Sequence, residues 1–121
     1  LPFRGTRAFD RRTIRTSMGA VFSLPMVETD DIAADLRALR HQGGAELVAT
    51  VCEPDAQPLP TYRPKGPVCV LIGCEPTGLP SELAALCDRR LTIPMVPGFD
   101  SLNAAVAAGV VLYQLTAGRG A

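Results

Sequence analysis

The sequence predicts an α/β fold, a mostly parallel sheet flanked by helices, and three observations carry that expectation. Segments rich in strand formers alternate with segments of helical periodicity. "VCVLIG", residues 68 to 73, is apolar at every position until its glycine, as in a strand covered on both faces of a parallel sheet. Three loops rich in Gly, Pro or small residues follow strand candidates, the position where open α/β sheets collect ligands.

Taken in order, "RRTIRTSMG" (11 to 19) forms a short helix ended by Gly19, and "AVFSLPM" reads as a strand stopped by Pro25. "TDDIAADLRALRHQGG" is a clearer helix. Thr29 or Asp30 caps it, Ile32, Leu36 and Leu39 share one face, and Gly43 and Gly44 end it. Arg37, Arg40 and His41 lie toward its negative end, so His41 reads as a helix-end cation. "AELVATV" (45 to 51) is a short apolar strand. Pro54, Pro58, Pro60, Pro64 and Pro67 then predict an exposed loop without regular structure. After the strand at 68 to 73 come the loop "GCEPTGLP", a short helix "SELAALC", the strand "RLTIPM", and a helix from about Leu102 to Thr116 with Asp100 or Ser101 as its cap. That last helix has almost no polar face from Ala104 to Leu112, so it packs against protein on most sides, within this subunit or against a second one.

The 121 residues suit a single domain, 1–121. Leu1 is not an initiator, and the abrupt start predicts a piece of a longer protein whose N-terminal part lies upstream. At 47% hydrophobic and 20% charged residues, the composition is that of a globular protein rather than a disordered one. Formal net charge is zero, but Arg4, Arg7, Arg11, Arg12 and Arg15 crowd the first fifteen residues against one acid, Asp10. That cluster is either an anion-binding patch or a solvated face. Cys52, Cys69, Cys74 and Cys87 form no C-x-x-C pair, and one His41 supplies no second ligand at zinc-site spacing. The expectation is reduced thiols, no metal, no membrane segment and a cytoplasmic protein.

Within "GCEPTGLP", Gly73 and Gly78 permit close backbone approach or positive φ, Pro76 and Pro80 stiffen the loop, and Glu75 is its only charge. The loop matches neither the dinucleotide fingerprint nor the phosphate-binding loop with its Lys-Ser/Thr pair. In combination, the segments say more. "LIGCEPTGLPSEL", then "LTIPM" with Ile93 twenty residues after Gly73, then "SLNAAVAAGVVLY" with Leu102 nine residues further, resembles the second and third motifs of the SpoU family of RNA ribose 2′-O-methyltransferases, within the SPOUT superfamily. "FDRRTIRTSMGAVFSLP" resembles that family's upstream segment, so the likeness covers most of the chain.

The resemblance implies a C-terminal deep trefoil knot, S-adenosylmethionine held in a bent form by the knotted loops, and a homodimer paired through knot-region helices. It places cofactor contacts on Gly73, Ile93 and Leu102, with Thr50, Ile72 and Met95 as neighbours. Glu75, Ser101 and Asn103 fall on the polar positions that shape the catalytic site and place the substrate. The implied reaction moves a methyl from a sulfonium to a ribose hydroxyl of ribosomal or transfer RNA, which demands alignment and removal of the hydroxyl proton. In the family an arginine in an Asn-x-Gly-x-x-x-Arg first motif is assigned the activating role; no such pattern occurs here, and it is expected upstream of Leu1. Arg15 and Arg12 are assigned to RNA phosphates. Gly-Cys-Glu stands where the family commonly has Gly-Asn-Glu, and "SLNAA" where it has "SLNVS", which removes an amide and a hydroxyl. The alternative is a non-catalytic RNA-binding or assembly module of the same fold.

Overall fold

The computed structural model describes residues 7–73, 78–99 and 102–117. The chain divides into two compact units, Leu1–Ile32 and Ala33–Ala121.

In the first unit, α1 (Arg11–Thr16) forms as the sequence predicts. The strand expected at "AVFSLPM" does not. Met18 (φ 53°) and Gly19 (φ 80°) take left-handed backbone, and a 3₁₀ turn follows at Ala20–Phe22. The N–H of Phe22 donates to the Gly19 carbonyl and that of Ser23 to the Ala20 carbonyl. Local bonds thus occupy donors that a strand ladder needs, and Val21 alone of the turn is buried. Thr29 Oγ1 accepts the Asp31 N–H at 3.1 Å just ahead of the next helix, which starts at Ile32, two to three residues after the expected cap at Asp30 or Thr29.

That helix, α2 (Ile32–His41), leads into the second unit, which contains β1 (Glu46–Thr50), β2 (Gln57–Pro58), β3 (Val68–Leu71), α3 (Ser81–Leu86), β4 (Arg89–Thr92) and α4 (Ala104–Thr116). Gly43 and Ala45 both donate to the Leu39 carbonyl, and Gly44 (φ 66°) turns the chain away from α2. The four strands are parallel in the order β2-β4-β1-β3. Val48 pairs with Val70 on one side and Arg89 on the other, which fixes the register.

The core follows the period of two along β1. Leu47 points to one face, where it meets Leu36 of α2 and Leu71, with Leu83 and Leu86 of α3 packed against them. Val48 points to the other, among Leu59, Tyr62, Leu91 and the α4 residues Val111 and Leu115. Helices therefore cover both faces, which explains why the middle of β1 (Leu47–Ala49) and all of β3 are apolar.

Two expectations need correction here. The proline-rich stretch is not simply an exposed loop: Gln57 and Pro58 add an edge strand beside β4, a 3₁₀ turn follows at Leu59–Thr61, and Leu59 and Tyr62 are buried. Proline suits an edge strand because its missing N–H faces away from the ladder. And α4 is capped by Asn103, while the caps expected from sequence, Asp100 and Ser101, lie outside the described residues. The Asn103 Oδ1 accepts from the N–H groups of Ala105 (2.9 Å) and Val106 (3.4 Å). The helix consequently begins at Ala104 rather than Leu102.

Candidate functional site: a pocket at the carboxyl ends of three strands

Because β4, β1 and β3 are adjacent and parallel, the segments leaving their carboxyl ends meet. Between them lies a pocket of about 670 Å³, within the range of roughly 300–1,000 Å³ usual for small-molecule sites. Thr50 enters from the end of β1, Ile72 and Gly73 from the end of β3, Ile93 and Met95 from the segment after β4, and Leu102 from the approach to α4. All six residues assigned to cofactor contact from sequence line this one cavity. Glu75 and Ser101 lie outside the described residues. Arg12 and Arg15 belong to the other compact unit, where both are exposed on α1.

Backbone geometry builds the wall on the β3 side. A Cβ on Gly73 would lie 2.2 Å from the Leu79 nitrogen and 2.3 Å from the Gly78 carbonyl carbon, distances that backbone cannot concede. Glycine is therefore a steric requirement at 73, and Gly78, at φ 69°, needs its left-handed freedom. Thr50 ties this wall to β1, its hydroxyl donating to the Leu71 carbonyl at 3.0 Å. The opposite wall comes from α4. Ala104, Ala107 and Val111, at helical spacing, turn one small-residue face toward the cavity.

Asn103 works locally, because its side-chain oxygen is engaged by the first turn of α4. The capping interaction leaves the amide's donors on the nitrogen for other partners.

Sequence reasoning missed the charged part of the lining. Arg90 Nη1 reaches both oxygens of Glu53, at 2.8 and 2.9 Å, and both residues border the cavity. Glu53 could have been noticed, three residues past Thr50 in one of the three converging loops; Arg90 carried no signal, since strand position alone did not say which way it points. The two charges offset, so a wall of Leu, Ile, Met and Ala carries polarity without net charge. It suits a flat apolar group hydrogen-bonded through backbone better than a polyphosphate.

Cys52 also borders the cavity and is exposed. Burial raises the thiol pKa of Cys69, and burial, then the charge of Asp88, raises that of Cys87. Both are held toward the unreactive thiol form. Among the described residues no group of three or more His, Cys, Asp or Glu side chains is arranged to hold a metal. No helix among them is long and apolar enough to cross a membrane.

A doubly covered parallel sheet with an apolar, glycine-bordered pocket over its carboxyl ends defines a class, the α/β domains that bind a small organic ligand between strand-end loops. Its membership can be named more closely. The sequence matches the SpoU rRNA Methylase family over residues 2–113, and the chain belongs to that family. It is 32% identical over 116 residues to an uncharacterized tRNA/rRNA methyltransferase of Archaeoglobus fulgidus, covering 96% of this chain and 50% of that protein. It is 29% identical over 100 residues to the 23S rRNA (guanosine-2′-O-)-methyltransferase RlmB of Acinetobacter baylyi, covering 83% and 40%. Among solved structures, the SpoU methyltransferase AviRb of Streptomyces viridochromogenes in complex with AdoMet superposes with a TM-score of 0.77 at 33% identity, covering 89% of this chain and 42% of that one. The chain thus spans half or less of the length of these relatives.

Proposed function

We infer that this chain forms the cofactor-binding part of an RNA methyltransferase that uses S-adenosylmethionine to methylate a ribose 2′-hydroxyl of ribosomal or transfer RNA. The observation that carries this reading is the convergence of Thr50, Ile72, Gly73, Ile93, Met95 and Leu102 on one pocket of about 670 Å³. An AdoMet-bound relative of the same fold and a guanosine-2′-O-methyltransferase relative support it.

The residues present fit that cofactor. The apolar side chains of Ile72, Ile93, Met95 and Leu102 suit an adenine ring, while Gly73, without a Cβ, leaves backbone close to the cavity. When bound, S-adenosylmethionine supplies a methyl activated by its sulfonium. The chain's own work is alignment: Thr50 fixes the spacing of β1 and β3, the Gly73–Gly78 contact fixes the loop edge, and Asn103 holds the start of α4 against the pocket. Asn103, with Ser101 and Glu75, places the acceptor ribose, and an arginine of the first motif, upstream of these residues, activates its hydroxyl.

The same reading includes the trefoil knot and a homodimer. Val106, Val110, Leu112 and Tyr113 of α4 are exposed, Tyr113 at 74%, an apolar surface that pairing with a second copy removes from water. Arg12 and Arg15 contact RNA phosphates, and the protein works in the cytoplasm.

Two measurements test the proposal. Calorimetry with S-adenosylmethionine on the folded protein gives saturable binding at one site per chain; a folded protein that does not bind overturns the reading. Incubating the full-length protein with RNA and cofactor, then digesting to nucleosides, yields 2′-O-methylated products by mass spectrometry. Cofactor and RNA binding without methyl transfer identifies the non-catalytic module instead.

A further inference from the structure

The cavity over the sheet has two unlike sides. Successive residues of a strand point to opposite faces, and at the end of β4 that alternation sorts the lining by polarity. Leu91 packs with Val111 and Leu115 of α4, and Ile93 packs against the same cluster. Arg90 and Thr92 therefore face the other side of the sheet, where Ser81 and Ala84 of α3 complete the wall. An apolar half under α4 adjoins a polar half beside α3.

The polar half holds an ion pair with capacity left over. Arg90 meets both oxygens of Glu53 through Nη1 alone, at 2.8 and 2.9 Å. A guanidinium donates from all three of its nitrogens, so the N–H groups of Nε and Nη2 remain unengaged among the described residues. The Glu53 carboxylate likewise accepts at about four lone-pair positions and keeps room for a second donor. Side by side, the pair offers a fork for a carboxylate and an acceptor for an ammonium. Its charges cancel, as do those of an α-amino acid zwitterion. Because Glu53 already holds the guanidinium in place, a carboxylate that joins it orders less of the side chain anew.

We propose that Glu53 and Arg90 form a receptor for the amino-acid end of the cofactor, Arg90 taking its α-carboxylate and Glu53 its α-ammonium. The nucleoside then lies under α4 and the methionine end beside α3. This receptor deepens the function inferred above, on whose cofactor it rests.

Calorimetry on the full-length protein with two thioethers tests it. S-Adenosylhomocysteine carries the amino-acid end, whereas 5′-methylthioadenosine has the same nucleoside and sulfur without it. Wild-type protein binds the first about tenfold or more tightly than the second, the scale of charge-assisted contacts. Arg90→Gln and Glu53→Gln each weaken S-adenosylhomocysteine by about tenfold and leave 5′-methylthioadenosine within about twofold, so the advantage collapses while the pocket stays intact. A third comparison needs no variant. Decarboxylated S-adenosylmethionine, which lacks only the carboxylate assigned to Arg90, binds wild-type protein about tenfold more weakly than S-adenosylmethionine. Equal affinity for the two thioethers, or for the cofactor with and without its carboxylate, overturns the receptor and leaves the cofactor reading standing. Variants that remain folded by urea unfolding yet lose both thioethers alike also overturn it, and make the pair a tether for the loop after β1. Folded wild-type protein that binds neither thioether nor S-adenosylmethionine overturns the receptor and the cofactor reading together.

Discussion

The two ends of the parallel sheet solve opposite problems. At the amino end, polar groups are spent on one another. Arg40 donates to Asp88 Oδ1 at 2.7 Å and to the Leu86 carbonyl, and Asp88 Oδ2 accepts the N–H of fully buried Leu47 at 2.8 Å. Tyr62 donates its hydroxyl to Glu46 at 2.5 Å, Arg89 reaches the same carboxylate at 2.9 Å, and the Arg89 guanidinium lies 5.7 Å from the Tyr62 ring centre. At the carboxyl end the lining is mostly apolar, glycine brings backbone to the surface of a cavity, and one ion pair, Glu53–Arg90, is the charged part. One end ties strands together, and the other leaves room for a guest. Polar side chains are thus no guide to the site here, since most of the ordered charge pairs lie away from it.

Substitutions at the two ends should separate stability from binding. Gly73→Ala breaks the comparison most severely. The added methyl meets backbone at 2.2 Å, so the loop edge must move. The expected result is a loss of S-adenosylmethionine affinity on the order of tenfold or more by calorimetry, with a stability loss of about 1–3 kcal/mol from overpacking. Asp88→Ala at the other end does the reverse. It strands the Leu47 N–H and removes the carboxylate partner of Arg40, costing about 1–3 kcal/mol in urea unfolding, while cofactor affinity of the remaining folded protein stays within about twofold, well under the 1.4 kcal/mol of a tenfold change. Retained affinity in Gly73→Ala, or lost affinity in Asp88→Ala, would erase the distinction between the ends.

Asn103 stands between these cases, since it caps a helix and lies in sequence between Leu102 and Ala104, which both line the pocket. Asn103→Ala should cost about 1 kcal/mol of stability, and Asn103→Asp, a comparable cap, close to none. A methylation defect shared by both variants of the full-length enzyme shows a role beyond capping, whereas one confined to Ala shows capping alone. The smallest effect is chemical. Because burial raises the pKa of Cys69 and Cys87, their thiolate fraction at pH 8 falls below that of an ordinary cysteine and rises only at higher pH. Peptide-resolved alkylation should therefore label exposed Cys52 ahead of both, and bound cofactor should slow Cys52 because that residue borders the cavity. Equal rates at all three would contradict the burial described.

Much of this architecture is legible in the sequence, for identifiable reasons. Residues 45–51 and 68–73 read as strands because both sheet faces are covered, leaving mostly apolar runs, and the observed strands lie within those limits. The pocket residues emerge because the three loops that carry them follow three adjacent strands. The "AVFSLPM" segment misleads because Val and Phe favour strands, whereas left-handed Met18 and Gly19 have already committed the next N–H groups to a tight turn. The proline-rich segment misleads in the other direction. Five prolines argue against order, but Leu59 and Tyr62 between them fill the core under α4. Arg90 is invisible because a bidentate partner in another loop is a fact of three dimensions.

The small-residue wall of α4 has a practical consequence. Ala104 and Ala107 set the aperture of the cavity with single methyl groups, so the pocket can be resized from one helix without touching the strand-end loops. Ala107→Leu plugs it, and Ala107→Gly, at a helix cost of about 1 kcal/mol, widens it toward an enlarged cofactor analogue that the parent wall rejects. Under the function proposed above, that position is a gatekeeper through which the methylated RNA could be tagged selectively in a cell full of other methyltransferases.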